Sequence, residues 1–96
     1  MKFQITLTPN ANEDIKYFQP YAQKVIIAAI RSYLQVDAHT ESHRRKRLRP
    51  SELAPWELKV GKYRVFYTLE GRTAKIVAIG YKEHNDLFIR GRRVEL

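Results

Sequence analysis

An alternating pattern just after the middle of the chain leaves little choice of secondary structure. Apolar side chains occupy every second position in Trp56–Val60, and the alternation resumes over residues 63–67 after Gly61 and Lys62. A period of two predicts strands with one buried face, and a two-residue break with glycine predicts a hairpin. The opposite face of this hairpin would carry charged side chains around Phe66, so it is the first surface to consider for function.

Two further stretches have the same period. Phe3, Ile5 and Leu7 alternate with polar residues and predict a strand near the N-terminus. Residues 73–81 have apolar side chains on both faces, which is typical of a strand in the centre of a sheet. Because residues 56–81 are joined only by short turns, we expect their three strands to form an antiparallel meander.

Two helices are predicted between the first strand and the hairpin. The first begins with Thr8 as the N-cap and Pro9 in the first turn, or with Asn10 as the cap, and ends at residues 19–20. The second covers roughly residues 21–36 and has a broad apolar stripe. The order β-α-α-β-β-β predicts an α+β fold, with a small antiparallel sheet, a two-helix hairpin packed on one face and the other face open.

Two segments lack a regular period. Residues 37–54 are polar and then strongly basic, and we expect a loop anchored by Leu48 and Leu53. After Lys82, residues 87–89 predict a short helix or an extended tail, and residues 90–96 are expected to be mobile.

Composition limits the classes of function. The 96 residues suit one compact domain, 1–96, and 44% of them are hydrophobic, which is enough for one core. The formal charge of +8 favours a polyanionic or acidic partner over a merely solvated basic surface. There is no cysteine, no signal-peptide layout and no apolar run near the ~20 residues that cross a bilayer, so we expect a cytoplasmic protein without a membrane partner.

A run of cations is the strongest candidate for binding nucleic acid. Five positively charged residues lie between positions 44 and 49 and could neutralise several phosphates. The alternatives are a solvated charge run or a docking surface for an acidic protein. These residues are Arg44, Arg45, Lys46, Arg47 and Arg49.

Candidate acid–base groups follow the last predicted strand. Lys82, Glu83 and His84 can all transfer protons, although an exposed polar turn has the same composition. His39 and His43 are four residues apart, but no further ligand lies nearby in the sequence, so no metal site is predicted. The sequence has no glycine-rich phosphate loop and no recognisable Ser/His/Asp arrangement.

Residues 56–67 resemble the signature of the RelE/ParE superfamily, the toxins of bacterial and archaeal toxin–antitoxin pairs. Gly-Lys-Tyr-Arg at residues 61–64 is similar to the family's Gly-Asp-Tyr-Arg motif. Residues 47–49 resemble its basic-Leu-basic element, and residues 79–83 resemble the end of its last strand. The predicted order of elements matches too, so the resemblance covers nearly the whole chain.

The resemblance implies one of two activities. RelE-like members cleave mRNA inside the ribosome, whereas ParE-like members inhibit DNA gyrase and are not nucleases; a degenerate homologue that only binds its antitoxin is a third alternative. In the nuclease the RNA 2′-hydroxyl attacks the neighbouring phosphate and basic side chains stabilise the developing charge, so no metal or cofactor is expected. We expect a toxin that is a metal-independent, ribosome-dependent mRNA endonuclease, with an acidic antitoxin, the ribosome and mRNA as partners.

The resemblance also assigns roles to single residues. Arg64 occupies the position of the family's central arginine, where it would stabilise the pentavalent phosphorane. Lys82 occupies that of a second basic residue that clamps phosphate. Phe88 stands where the nuclease commonly has a tyrosine, and its ring would stack on a base. Lys62 and the basic run would hold RNA.

The family's other site residues differ here. Two lysines of the best-known RelE-type site align with Pro55 and Glu57, so Lys59 is the nearest replacement. Proton transfer would then fall to Glu57 or His84. The alternative for Arg64 is that it only pairs with Glu57 across the hairpin.

Overall fold

The computed structural model describes residues 1–50 and 53–95. Within these residues seven strands form one sheet, and two helices lie between the first and second strands. No helix in this part of the chain is long and apolar enough to span a membrane. The elements are β1 (Gln4–Leu7), α1 (Pro9–Lys16), α2 (Pro20–Leu34), β2 (Arg45–Arg47), β3 (Trp56–Val60), β4 (Tyr63–Glu70), β5 (Thr73–Glu83), β6 (Asp86–Ile89) and β7 (Arg92–Val94).

The sheet is built around β5, which confirms its predicted central position. On one side β4, β3 and β2 follow in antiparallel order. On the other side β1 pairs in parallel with the first half of β5, from Gln4↔Thr73 to Leu7↔Ile76. β6 pairs antiparallel with the second half of β5, and β7 pairs with β6. The sheet is therefore mixed, because the first strand is parallel to its neighbour.

Two-residue turns set the register of the hairpins. Gly61 and Gly71 begin the β3–β4 and β4–β5 turns with a φ of 58°, as type II′ turns require. Residues 84–85 and 90–91 join β5 to β6 and β6 to β7, and both positions of each turn have positive φ, as in type I′ turns. The right-handed twist of the flanking strands favours both turn types.

The two predicted helices are present and lie on one face of the sheet. Thr8 rather than Asn10 caps α1, since its Oγ1 accepts a hydrogen bond from the Ala11 N–H at 3.1 Å. α2 begins at Pro20 and ends at Leu34, two residues before the predicted end. The predicted α+β class with a two-helix hairpin on one face is confirmed.

Apolar side chains from both helices and one face of the sheet form the main core. Ile26 and Ile30 of α2 are buried against this face, which includes Val65 and Tyr67 of β4. The Tyr67 hydroxyl donates to the Ala38 carbonyl oxygen at 2.9 Å, and burial raises the pKa of this phenol far above its ordinary value. The side chains of β4 that face the core, such as Val65 and Tyr67, are therefore those that the alternation predicted to be buried.

The second face of the sheet is partly covered, contrary to the open face predicted from sequence. Phe66, Ala78 and Leu87 form a smaller core there, and Leu48 and Val94 pack against it. Leu48 and Ala54, from the described residues between β2 and β3, and the C-terminal strands therefore cover part of this face.

Gly80 allows the C-terminal strands to approach this closely. A Cβ at Gly80 would lie 2.4 Å from the Phe88 carbonyl oxygen and 2.9 Å from Ile89 Cγ1. Only the absence of a side chain lets the β6 backbone pass at this distance.

Two predictions about irregular segments are wrong. Arg45–Arg47, expected to be a loop, is a strand, and the predicted anchor Leu53 is exposed. Residues 87–89, expected to be a short helix or an extended tail, belong to β6, and residues 92–94 of the segment expected to be mobile form β7. These three strands are short, and β2 and β7 are rich in charge, so backbone pairing rather than an apolar period defines them. Residues 51, 52 and 96 of these segments lie outside the described residues.

Candidate functional site

Four of the predicted catalytic residues lie together on the second face of the sheet. Arg64 leaves the core and pairs with Lys59 of β3 on one side and Gly80 of β5 on the other. Glu57 and Lys82 are two residues from these partners on the same face, so each lies diagonal to Arg64 at roughly 7–8 Å. The structure thus brings two lysines and one carboxylate together around Arg64.

The turn before β4 holds the Arg64 guanidinium. Its Nη1 donates to the carbonyl oxygens of Gly61 at 2.7 Å and Tyr63 at 2.9 Å. Its Nε is buried and has no hydrogen-bond partner within residues 1–50 and 53–95. Since Nη1 uses both of its protons, the edge formed by Nε and Nη2 remains for an anion, and this edge can bind two oxygens of a phosphate or carboxylate.

Arg64 and Glu57 are not paired in the described part of the chain. Among the described residues no ion pair joins the two side chains, and Glu57 pairs in the ladder with Phe66 rather than with Arg64. The geometry therefore gives no support to a purely structural pairing across the hairpin.

The three lysines near Arg64 differ in exposure. Lys59 is exposed, whereas Lys82 is half-buried and its N–H donates to the Lys62 carbonyl oxygen at 2.8 Å. Lys62 is exposed in the β3–β4 turn, with Nζ 5.8 Å from the centre of the Tyr63 ring. Lys59 is therefore the most accessible cation directly beside Arg64.

Glu57 is a buried carboxylate. It is 4% exposed and lies between Lys46 of β2 and Phe66 of β4. Leu48 and Ala54 pack around the neighbouring Phe66. Glu57 is the predicted proton carrier nearest to Arg64, but it has little contact with solvent.

His84 and Phe88 lie away from this cluster. His84 is exposed in the β5–β6 turn, four residues beyond Gly80, which corresponds to ~13 Å along an extended chain. Phe88 pairs with Tyr81 and stacks on its ring at 5.5 Å, on the face of the sheet that carries the helices. A base bound at Arg64 would therefore not meet Phe88, and the distance argues against His84 as its proton carrier.

Arg45 of the basic run has a structural position. It is half-buried, its Nε donates to the Thr40 carbonyl oxygen at 2.8 Å, and its Nη1 donates to the Tyr33 carbonyl oxygen at 2.9 Å. Tyr33 lies in the last turn of α2, where a cation also interacts favourably with the helix dipole. Arg45 therefore connects β2 to the end of α2.

The other cations of the basic run do not form one patch, because β2 alternates its side chains between the two faces. The guanidinium of Arg44 lies over the Tyr33 ring at 4.7 Å, and that of Arg47 lies over the Trp56 ring at 5.3 Å. Lys46 points to the second face beside Glu57, and Arg49 is exposed beyond β2. The predicted single nucleic-acid-binding loop is thus divided between two faces.

A buried acid on α1 was not anticipated. Asp14 is 2% exposed, its Oδ2 accepts the Ile79 N–H at 3.0 Å, and its Oδ1 lies 2.9 Å from Arg90 Nε. Burial raises the pKa of this carboxyl, although the Ile79 N–H and the Arg90 guanidinium act in the opposite direction. The spacing of Asp14 from Ala11 and Phe18, on the apolar face of the helix, is the signal that could have identified it.

No group of three or more histidine or acidic side chains within residues 1–50 and 53–95 has a geometry that could hold a metal ion.

Arg92 of β7 also lies on the second face of the sheet. The sequence did not predict it as a site residue, because a mobile tail was expected there.

Comparisons with known proteins agree with this architecture. A family model described as the ParE toxin of type II toxin–antitoxin system, parDE, matches residues 5–85. Among solved structures, a chain of the toxin–antitoxin complex RelBE2 from Mycobacterium tuberculosis is similar, with a TM-score of 0.73 and 17% identity over 85% of this chain and 100% of that one. A search of curated proteins found no match. The family match covers most of the chain, which therefore belongs to the ParE toxin family of type II toxin–antitoxin systems.

Proposed function

We propose that this toxin cleaves mRNA at the translating ribosome, with Arg64 at the centre of its site. The observation that carries the proposal is the Nε of Arg64, which is buried and has no partner among the described residues, so that Nε and Nη2 are two adjacent N–H donors beside Lys59. An N–H group that is shielded from water, as the buried Nε is, binds an oxyanion more strongly than one that water already satisfies. A phosphodiester of RNA supplies that oxyanion.

The chemistry follows from these groups. The RNA 2′-oxygen attacks the adjacent phosphorus, the bond to the 5′-oxygen breaks, and a cyclic phosphate and a 5′-hydroxyl result. Arg64 stabilises the charge on the phosphorane oxygens, while Lys59 and Lys82 hold the phosphate. Glu57 is the nearest group to accept the 2′-proton, and Lys59 can give a proton to the leaving oxygen.

The partner that restrains such a toxin is an acidic antitoxin. The chain carries a charge of +8, and an acidic protein would neutralise it by electrostatic complementarity. The similar chain in the RelBE2 complex belongs to a toxin–antitoxin assembly, which supports an antitoxin partner here. A ribosomal target would put the site of action in the cytoplasm. Co-expression with the acidic product of an adjacent gene should abolish growth arrest.

The test is a cleavage assay on translating ribosomes, read by primer extension, with wild type, Arg64→Ala and Arg72→Ala. Loss of one transition-state donor lowers the rate by roughly a hundred- to a thousand-fold. Arg72 is an exposed arginine in the β4–β5 turn, so its substitution removes the same charge away from the site. Equal cleavage by Arg64→Ala and wild type would refute the proposal.

Gyrase inhibition is the second candidate function. It is favoured by the separation of His84 and Phe88 from Arg64, since a nuclease would gain from a proton carrier and a stacking ring there. A supercoiling assay with the same preparations distinguishes the two. Inhibition of gyrase without mRNA cleavage would replace the first candidate, and growth without arrest would indicate a homologue that only binds its antitoxin.

A further inference from the structure

The C-terminal strand adds a cation to the same face as Arg64. In the β6–β7 hairpin Arg92 pairs with Ile89, and Val94 pairs with Leu87. Ile89, Val94 and Leu87 all belong to the smaller core on the second face. Paired residues of antiparallel strands share a face, so the side chain of Arg92 lies on that face too.

Arg92 is aligned with Arg64 across the sheet. Arg64 pairs with Gly80, the position of a Gly80 Cβ would be 2.9 Å from Ile89 Cγ1, and Ile89 pairs with Arg92. With Lys59 opposite Arg64 on β3, these five residues form one line across the strands, which we call the cross-strand row. Three strand spacings separate Arg64 from Arg92, or ~14 Å.

The middle of the row is apolar and is covered by β6. Gly80 is buried, because the Phe88 carbonyl oxygen and the Ile89 side chain occupy the space that a side chain at Gly80 would need. The row therefore has cations at its two ends and, between them, an uncharged surface that includes Ile89. Neither Arg64 nor Arg92 forms an ion pair with any acidic side chain in the described part of the chain.

We propose that single-stranded RNA crosses the second face along the cross-strand row, with one phosphate on Arg64 and Lys59 and a later phosphate on Arg92. The choice of RNA rests on the proposed function. RNA carries a negative charge at every phosphate, so one strand can contact cations that lie apart along its path. Arg92 is then an RNA-binding residue outside the cleavage centre.

The chain offers a matched control for Arg92. Arg93 is the next residue of the same strand, points to the opposite face, and lies near two carboxylates, Asp86 Oδ1 at 3.4 Å and Glu95 Oε1 at 3.5 Å. Arg92→Gln and Arg93→Gln change the net charge equally. Only the first removes a cation from the cross-strand row.

The test measures binding of a labelled oligouridine to the free toxin at several salt concentrations. Arg92→Gln should weaken binding by about tenfold at low salt, as loss of one charge-assisted contact does. The slope of log affinity against log salt should become shallower by about 0.7. Arg93→Gln should change affinity less than about twofold and leave the slope as in wild type. Thermal unfolding checks that both variants are folded.

Equal effects of Arg92→Gln and Arg93→Gln would overturn the proposal, because general charge rather than position would then explain binding. Displacement of the oligouridine by a glutamate polymer at equal charge concentration would also overturn it, in favour of an acidic protein partner. The result is independent of ribosome cleavage. If the toxin fails to cut mRNA but Arg92→Gln lowers RNA affinity selectively, the proposed function fails and the RNA path remains.

Discussion

Replacing Gly80 with alanine tests the close passage of β6 over the sheet. Gly80 does not have a positive φ, so alanine is compatible with its backbone conformation. The new Cβ would however lie 2.4 Å from the Phe88 carbonyl oxygen, 2.9 Å from Ile89 Cγ1 and 3.2 Å from Leu87 Cδ1. Because the nearest atom belongs to the backbone, a side-chain rotation cannot relieve the overlap, and β6 itself must retreat.

The size of the effect follows from this overlap. Inserting a methyl group into a packed site typically costs ~1–3 kcal/mol when the backbone has to shift. In a domain of this size, a loss of ~1 kcal/mol in the free energy of unfolding lowers the melting temperature by about 4–8 °C. We therefore expect Gly80→Ala to melt roughly 5–20 °C below wild type.

The change in melting temperature is measured by thermal unfolding, followed by circular dichroism, of wild type, Gly80→Ala, Ile89→Ala and the double variant. Ile89→Ala removes the contact at 2.9 Å but leaves the Phe88 carbonyl oxygen in place, so it should not rescue Gly80→Ala. A melting temperature for Gly80→Ala within about 2 °C of wild type would refute the close passage, since that shift corresponds to well under 1 kcal/mol. Full rescue by Ile89→Ala would show that only a side chain is in the way.

Two further predictions concern how Arg45 and Asp14 affect the stability of the fold. Arg45→Ala should lower the free energy of unfolding by about 1–3 kcal/mol, because the bonds to the Thr40 and Tyr33 carbonyl oxygens are lost, while Lys46→Ala should change it by less than about 0.5 kcal/mol. Urea unfolding measures both, and equal losses would contradict a structural role for Arg45. Burial raises the pKa of the Asp14 carboxyl above its ordinary 3.8, so this group keeps its proton to higher pH in the folded state than in the unfolded state. Its contribution to the stability of the fold therefore decreases as pH rises from the unfolded-state pKa to the folded-state pKa. The stability of wild type relative to Asp14→Asn should therefore fall as pH rises above about 3.8, and a constant difference would show that the folded pKa is not raised.

The strongest sequence signals predicted the strands that have a regular apolar period. β3, β4 and β5 have an apolar residue at every second position, so the period of two located them and placed Arg64 outside the core. The central position of β5 followed from apolar side chains on both of its faces. The helical hairpin followed from Thr8, Pro9 and Pro20, whose backbone preferences act locally.

The site could be predicted only in part. Arg64 and Lys59 are directly opposite because a two-residue turn fixes their register, and that turn is visible in the sequence. Phe88 was assigned by resemblance and His84 by its ability to transfer protons. The structure places Phe88 on the helix face of the sheet and His84 in the β5–β6 turn, beyond the strand. The cations of the basic run lie on two faces of the sheet because successive side chains of a strand alternate between the faces, whatever their charge.

Local chemistry thus determined from the sequence alone the strands with an apolar period, the capped helices and the sign of the surface charge. Tertiary structure decided which backbone segments without such a period found a pairing partner, and so created β2, β6 and β7. It also decided that Gly80 lies under β6 and that Asp14 is buried against Ile79 and Arg90. These contacts join residues far apart in the chain. Neither the secondary-structure propensity of a segment nor its apolar period specifies which distant backbone or charged group packs against it.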